Sequence, residues 1–252
     1  YATRRHAQLG YHRYRLSHRG EKGAGMRLPR LILVLATTLA LLTASTGCGR
    51  TVTGSALRDP DLPGVTLTAD GFGIIAGRPD APAQIEVYTE PQCTHCAHLQ
   101  DTDGPEMKSM IALGLLTVTY RPVTFLDTEY GYSAKVANAM FLAAAHGTSA
   151  PALQAYVATL WGHQNPGGSA PSDGQLAGWA ADSGVSAEAV TTIQFGEHAV
   201  DTDEMTMTNE TRLQEIRDGD AGTPTVYDLT GNTVVDIQET EWLAKLTAGR
   251  QT

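Results

Sequence analysis

Little in this sequence could staple the chain covalently. Of its 252 residues only three are cysteine, too few for a disulfide-built scaffold. Aromatic residues make up 6%, no repeat or low-complexity block interrupts the chain after residue 65, and no apolar run reaches the ~18 residues of a spanning helix. The overall composition is that of one globular domain, or two, and excludes collagen, coiled coil and wholesale disorder. Basic residues are few and badly spread. Residues 1–30 hold eight of the 18 Lys and Arg but one of the 27 Asp and Glu, so the rest of the chain is strongly acidic. Such a body repels phosphate backbones, which argues against nucleic acid as a partner of the folded part.

The basic head has its own organisation. Residues 1–25 are poor in aliphatic side chains and show no core-facing period; they are expected to be disordered or to be upstream translation, with Met26 as the start. Residues 26–47 have the layout of a lipoprotein signal peptide: Arg27 and Arg30, then the uncharged run LILVLATTLALL from Leu31 to Leu42, then small residues. The exit Ser45-Thr46-Gly47-Cys48 resembles a lipobox, with Ser45 where an aliphatic residue is usual. Cys48 is therefore expected to be lipidated, and two acyl chains suffice for a stable membrane anchor. Residues 48–64, rich in Gly, Pro, Ser and Thr, are expected to be a tether. The chain beyond the signal would sit outside the cytoplasm, held to the cell membrane or secreted.

From residue 65 to 252 the pattern predicts a single α/β domain. Strands are expected at Phe72–Ala76 and Gln84–Thr89, the latter after the turn Arg78-Pro79-Asp80-Ala81-Pro82. A helix from Cys93 to Gly114 is interrupted at Gly104-Pro105, where proline removes a donor, and Leu115–Tyr120 is again a strand. From about 129 to 217 the period is helical, with breaks that divide it into four or five helices and with Ser172, Ser186 and Asp201 as N-caps. Strands at Thr225–Leu229 and Thr233–Ile237 and a helix at Glu239–Leu246 close the chain. The order is β-α-β, a helical insertion, then β-β-α; the last two strands lack a sheet of their own and should pair with the first ones.

Setting Cys48 aside leaves Cys93-Thr94-His95-Cys96 at a strand-to-helix junction. A structural bridge over so short a loop would constrain the unfolded chain little. A metal site for copper or zinc could draw on Cys93, Cys96 and His98, but it lacks an evident fourth ligand. Redox chemistry explains more of the residues. At the first turn of a helix, Cys93 would meet free N–H groups that favour its thiolate, and Cys96, one turn further in, would be shielded. Cys93 is then the nucleophile and Cys96 the resolving thiol. His95 is expected to stabilise the Cys93 thiolate further. The methionines are expected to fill the core, and Trp161 to pack while lining a substrate groove.

Arg78-Pro79-Asp80-Ala81-Pro82, Glu90-Pro91-Gln92-Cys93-Thr94-His95-Cys96 and the distant Gly222-Thr223-Pro224-Thr225-Val226-Tyr227 together resemble a DsbA-like thiol-disulfide oxidoreductase of the thioredoxin superfamily. The resemblance spans roughly Phe72 to Leu246. It implies a thioredoxin fold with a helical insertion, no cofactor and no metal, and a cis-proline at Pro224 with Thr223 before it, facing the cysteines and binding an extended substrate. It further implies an oxidising activity on exported proteins, with re-oxidation by a quinone-linked membrane partner similar to vitamin K epoxide reductase. A disulfide reductase or isomerase remains an alternative. One departure stands out: the acidic residue that many members carry six positions before the first cysteine is Val87 here. Of its acidic neighbours, Glu86 should point to the opposite face by strand alternation, and Glu90 lies in the approach loop.

Overall fold

The computed structural model describes residues 62–129 and 131–248. The expectations for residues 1–25, the signal at 26–47, the lipidated Cys48 and nearly all of the tether at 48–64 lie outside the described residues. The end of that tether belongs to the fold: Pro63 is buried and its carbonyl accepts the Ala150 N–H at 2.8 Å.

Six strands among the described residues form one mixed sheet. They are β1 (Val65–Leu67), β2 (Ile74–Ala76), β3 (Ala83–Thr89), β4 (Leu116–Pro122), β5 (Thr225–Asp228) and β6 (Thr233–Val234), in the spatial order β1-β2-β4-β3-β5-β6. Only β3 and β4 run parallel; every other pairing is antiparallel. Helices α1 (Thr94–Thr102) and α2 (Gly104–Ala112) make the crossover between the parallel strands. The insertion between β4 and β5 holds α3 (Tyr132–Ala144), α4 (Ala150–Gly162), α5 (Asp173–Asp182), α6 (Ala187–Gln194) and α7 (Thr202–Ile216), and α8 (Trp242–Ala248) ends the described chain. None of these helices is long and apolar enough to cross a membrane.

Local chemistry fixes these boundaries. Pro105 sits in the first turn of α2, where its missing N–H leaves no partner unsatisfied, so the expected interruption becomes a clean division into two helices. Ser172 and Ser186 each cap a helix, accepting the Gln175 and Ala189 N–H groups, and Asp201 accepts those of Asp203 and Glu204. Two expected elements are shorter than their sequence pattern. Asp236 accepts the Gln238 N–H, which turns the chain after Val234 and delays α8 to Trp242. The short β1 shows no strand pattern of its own and exists by pairing with β2.

Helices cover both faces of the sheet, so β3 and β4 are buried along almost their whole length. Ile85, Val87, Val118 and Tyr120 enter an apolar core with Met107, Ile111 and Leu153, and the Tyr120 hydroxyl donates to Gln154 of α4. The opposite face is ionic. Glu86 and Arg121, 3% and 4% exposed, form an ion pair at 3.0 Å. Arg121 also reaches Asp70 at 2.7 Å and Asn209 of α7 at 3.1 Å, and the other Glu86 oxygen accepts from Arg212 at 3.1 Å and from the Tyr88 hydroxyl at 2.8 Å. This cluster docks α7 on the sheet, and Asn209 reinforces it by donating to the Phe72 and Pro122 carbonyls.

Removing one partner from such a cluster leaves a buried charge uncompensated. Arg121→Met is expected to destabilise the protein by about 3–5 kcal/mol in denaturant titration, and adding Glu86→Leu should recover a substantial part of that loss. A single variant as stable as the native protein would show that the pair contributes nothing to docking α7.

Candidate active site

The site is built where β3 stops. Tyr88 of β3 pairs with Thr225 of β5, so the loop before β5 lies beside the end of β3. That register brings together residues 130 positions apart: the Cys93 thiol donates to the Thr223 carbonyl at 3.2 Å. The Thr223–Pro224 peptide bond is cis. Cys93 is half-buried at the N-cap of α1, and Cys96 is buried one turn in, at 1% exposure. Both are free thiols.

Their surroundings push the two sulfurs apart in acidity. The Cys96 thiol donates to Cys93, and this outweighs the burial that opposes a charge there. The Thr223 hydroxyl and the Cys96 and His95 backbone N–H groups favour the anion further, so the Cys93 pKa falls to about 5. As a thiol Cys93 makes no capping hydrogen bond to α1; the N–H groups act on its charged form, as at any helix start that meets an anion. Burial pushes the Cys96 thiol far up, and the neighbouring Cys93 adds to the rise. One sulfur is thus a thiolate at neutral pH while its neighbour keeps its proton.

The loop that delivers Cys93 is fastened by the insertion. Gln164, just after α4, donates to the Pro91 carbonyl at 2.8 Å and to the Cys93 carbonyl at 3.0 Å. The Trp161 indole donates to the Glu90 carbonyl at 3.2 Å. Gln92 donates to the Leu126 carbonyl and to the Ser133 hydroxyl, and accepts the Gly167 N–H at 2.8 Å. Trp161 is 2% exposed, so it fixes the loop from within and does not line a groove. Gln92 stands in the motif before Cys93, but nothing in the sequence assigns it, Ser133 or Gln164 this fastening role.

The remaining expected site residues fall around this centre. Thr94 and His95 are exposed in the first turn of α1. The exposed His95 ring makes no hydrogen bond to Cys93, whereas its backbone N–H favours the Cys93 anion. His98 is exposed a turn later, and among the described residues no three His, Cys, Asp or Glu side chains are grouped to hold a metal. The alternative of a site from Cys93, Cys96 and His98 is therefore not favoured. His95 instead borders an open groove of about 780 Å3 that runs past Thr223, Pro224 and Leu99 to Ile237 and Trp242.

The family model described as thioredoxin matches residues 70–244. The chain is 29% identical over 192 residues to the serine/threonine-protein kinase PknE of Mycobacterium tuberculosis, an alignment covering 72% of this chain and 32% of that one. It thus spans about a third of the length of the curated relatives it matches. Among solved structures, the MdbA thiol-disulfide oxidoreductase of Corynebacterium diphtheriae superposes with a TM-score of 0.59 at 23% identity, covering 75% of this chain and 96% of that one. DsbA of M. tuberculosis does so with a TM-score of 0.53 at 20% identity, covering 74% and 92%. These structural likenesses show a shared fold.

The thiolate absorbance of the reduced protein is expected to titrate near pH 5, and Cys96→Ala should raise that midpoint by about one unit, since the thiol is the main donor to the charge. Cys96→Ser should raise it less. A native midpoint near that of a free cysteine, ~8.5, would contradict the assignment.

Proposed function

Because the chain belongs to the thioredoxin family, with a DsbA-like fold, we propose that it is a thiol-disulfide oxidoreductase whose working pair is Cys93 and Cys96. The observation that carries the reading is the opposed acidity of the two sulfurs at one helix start, beneath the Thr223 carbonyl. Cys93 forms the mixed disulfide with a substrate cysteine, and Cys96 resolves it or leaves as the pair is reduced. The groove beside Pro224 receives the extended substrate segment, with Thr223 and Pro224 against its backbone.

The reaction runs in the oxidising direction, forming disulfides in exported proteins with free thiols. A depressed Cys93 pKa supports this, because stabilising the reduced form makes the disulfide a stronger oxidant. The sequence from Arg27 to Cys48 supports a place outside the cytoplasm, on the membrane through a lipidated Cys48, where disulfides persist. Re-oxidation falls to a quinone-linked membrane partner of the kind the family resemblance implies.

Incubated with an unfolded protein that carries a disulfide, Cys96→Ala is expected to accumulate mixed disulfides, its Cys93 thiolate attacking the substrate disulfide and releasing the other substrate sulfur as a thiol, and Cys93→Ala to form none; equal behaviour of the two variants would refute the assigned order of attack. Equilibration with glutathione measures the direction. A potential near −120 mV, roughly that of strong oxidants, agrees with disulfide donation, and one near −270 mV, roughly that of reductants, would reverse it to a reductase.

A further inference from the structure

Glu90 lies in the loop that delivers Cys93 and is fully buried, at 0% exposure. Its carboxyl accepts the Gln92 N–H at 2.5 Å and the Ser133 hydroxyl. Both donors are neutral. Its carbonyl accepts the Cys93 N–H at 3.0 Å as well as the Trp161 indole, and its backbone bears on the Cys96 sulfur. The titratable groups that face the carboxyl are Cys93 at the start of α1, Asp127 in the loop after β4 and Tyr132 in α3. Each is neutral or negative, so among the described residues no cation pairs with the Glu90 carboxylate. Burial lifts its pKa to about 7; the two hydrogen bonds oppose the rise, and the charges of Cys93 and Asp127 add to it.

We propose that the Glu90 carboxyl takes up a proton when the Cys93–Cys96 disulfide is reduced and gives it up on re-oxidation, so that the net charge of the site stays constant through the cycle. The proposal rests on the redox reading of the cysteine pair. In the oxidised protein both sulfurs are neutral and Glu90 is a carboxylate. A dithiol substrate supplies two electrons, which break the Cys93–Cys96 bond as its own disulfide forms, and it gives up two protons. One proton goes to Cys96, which becomes a thiol. Cys93 stays a thiolate, and its new charge draws the second proton onto Glu90. Without Glu90 that proton would leave to solvent. The carboxyl hydrogen-bonds neither sulfur among the described residues; Glu90 is a positioning residue for charge, acting through Cys93.

The test is the pH dependence of the equilibrium between the protein and glutathione from about pH 5.5 to 8. Release of one proton makes reduction about tenfold more favourable per pH unit, and uptake by Glu90 cancels it. The native protein is expected to change by clearly less than tenfold per unit below about pH 7 and by about tenfold above it. Glu90→Gln, which keeps the volume of the side chain, should change about tenfold per unit throughout. Ser133→Ala removes a donor that favours the carboxylate, so the bend in the native curve should move to higher pH; it keeps the proposal testable where Glu90→Gln fails to fold. A defined equilibrium with the same slope in native protein and Glu90→Gln, or with an unmoved bend in Ser133→Ala, overturns the role of Glu90. The absence of any defined glutathione equilibrium overturns the redox reading itself.

Discussion

A thiolate half-removed from water survives only if fixed donors replace the solvent it has lost, and the working end of this protein is organised around that requirement at Cys93. The donors come from three places. The Cys96 thiol and the first backbone N–H groups of α1 lie ahead of the sulfur in sequence, and the Thr223 hydroxyl comes from the far end of the chain. None of them helps unless the Cys93 backbone is held still. That is the structural work of the insertion, whose Trp161 and Gln164 donate to three carbonyls of the loop from Glu90 to Cys93. The helical block is thus a wall of the site and not an appendage to the sheet.

The sheet supplies the second constraint. Placing β5 beside β3 in antiparallel register sets Thr223 over Cys93, and the burial of β3 on both faces fixes that register, since a one-residue slip would exchange its apolar and ionic faces. The two faces are unlike. One is a hydrocarbon core containing Val87; the other holds Glu86 and Arg121 in an ion cluster that ties down α7. The buried carboxyl on which the Cys93 charge acts is therefore not on the strand beneath the sulfurs but in the loop, as Glu90.

Much of this was legible in the sequence. The strand at Gln84–Thr89 after its turn, the break at Gly104-Pro105 and the caps Ser172, Ser186 and Asp201 depend on neighbours a few residues away, and the structure contains each of them. Strand alternation also assigned Glu86 to the face opposite Val87 correctly, although it could not name Arg121 and Arg212 as partners. The shortfall lies in contacts that join distant segments through ordinary residues. Gln92 meets Ser133, 41 residues away, and Gly167, 75 residues away; nothing local marks a glutamine for such use. His95 lies two residues from Cys93 in sequence, but its ring is exposed and makes no hydrogen bond to the sulfur. Glu90 was visible as a residue of the approach loop, and only the packing of Ser133, Trp161 and Tyr132 around it shows that it is buried.

At the centre of the site one sulfur is charged and reachable while the other is neutral and enclosed. Site-resolved alkylation of the fully reduced protein at about pH 6, quantified by peptide mass spectrometry, tests this most directly. Modification should accumulate at Cys93 alone, at a rate that levels off above about pH 5, with Cys96 unmodified until the protein is unfolded. Comparable rates at the two cysteines, or a Cys93 rate that keeps climbing to about pH 8, would contradict it.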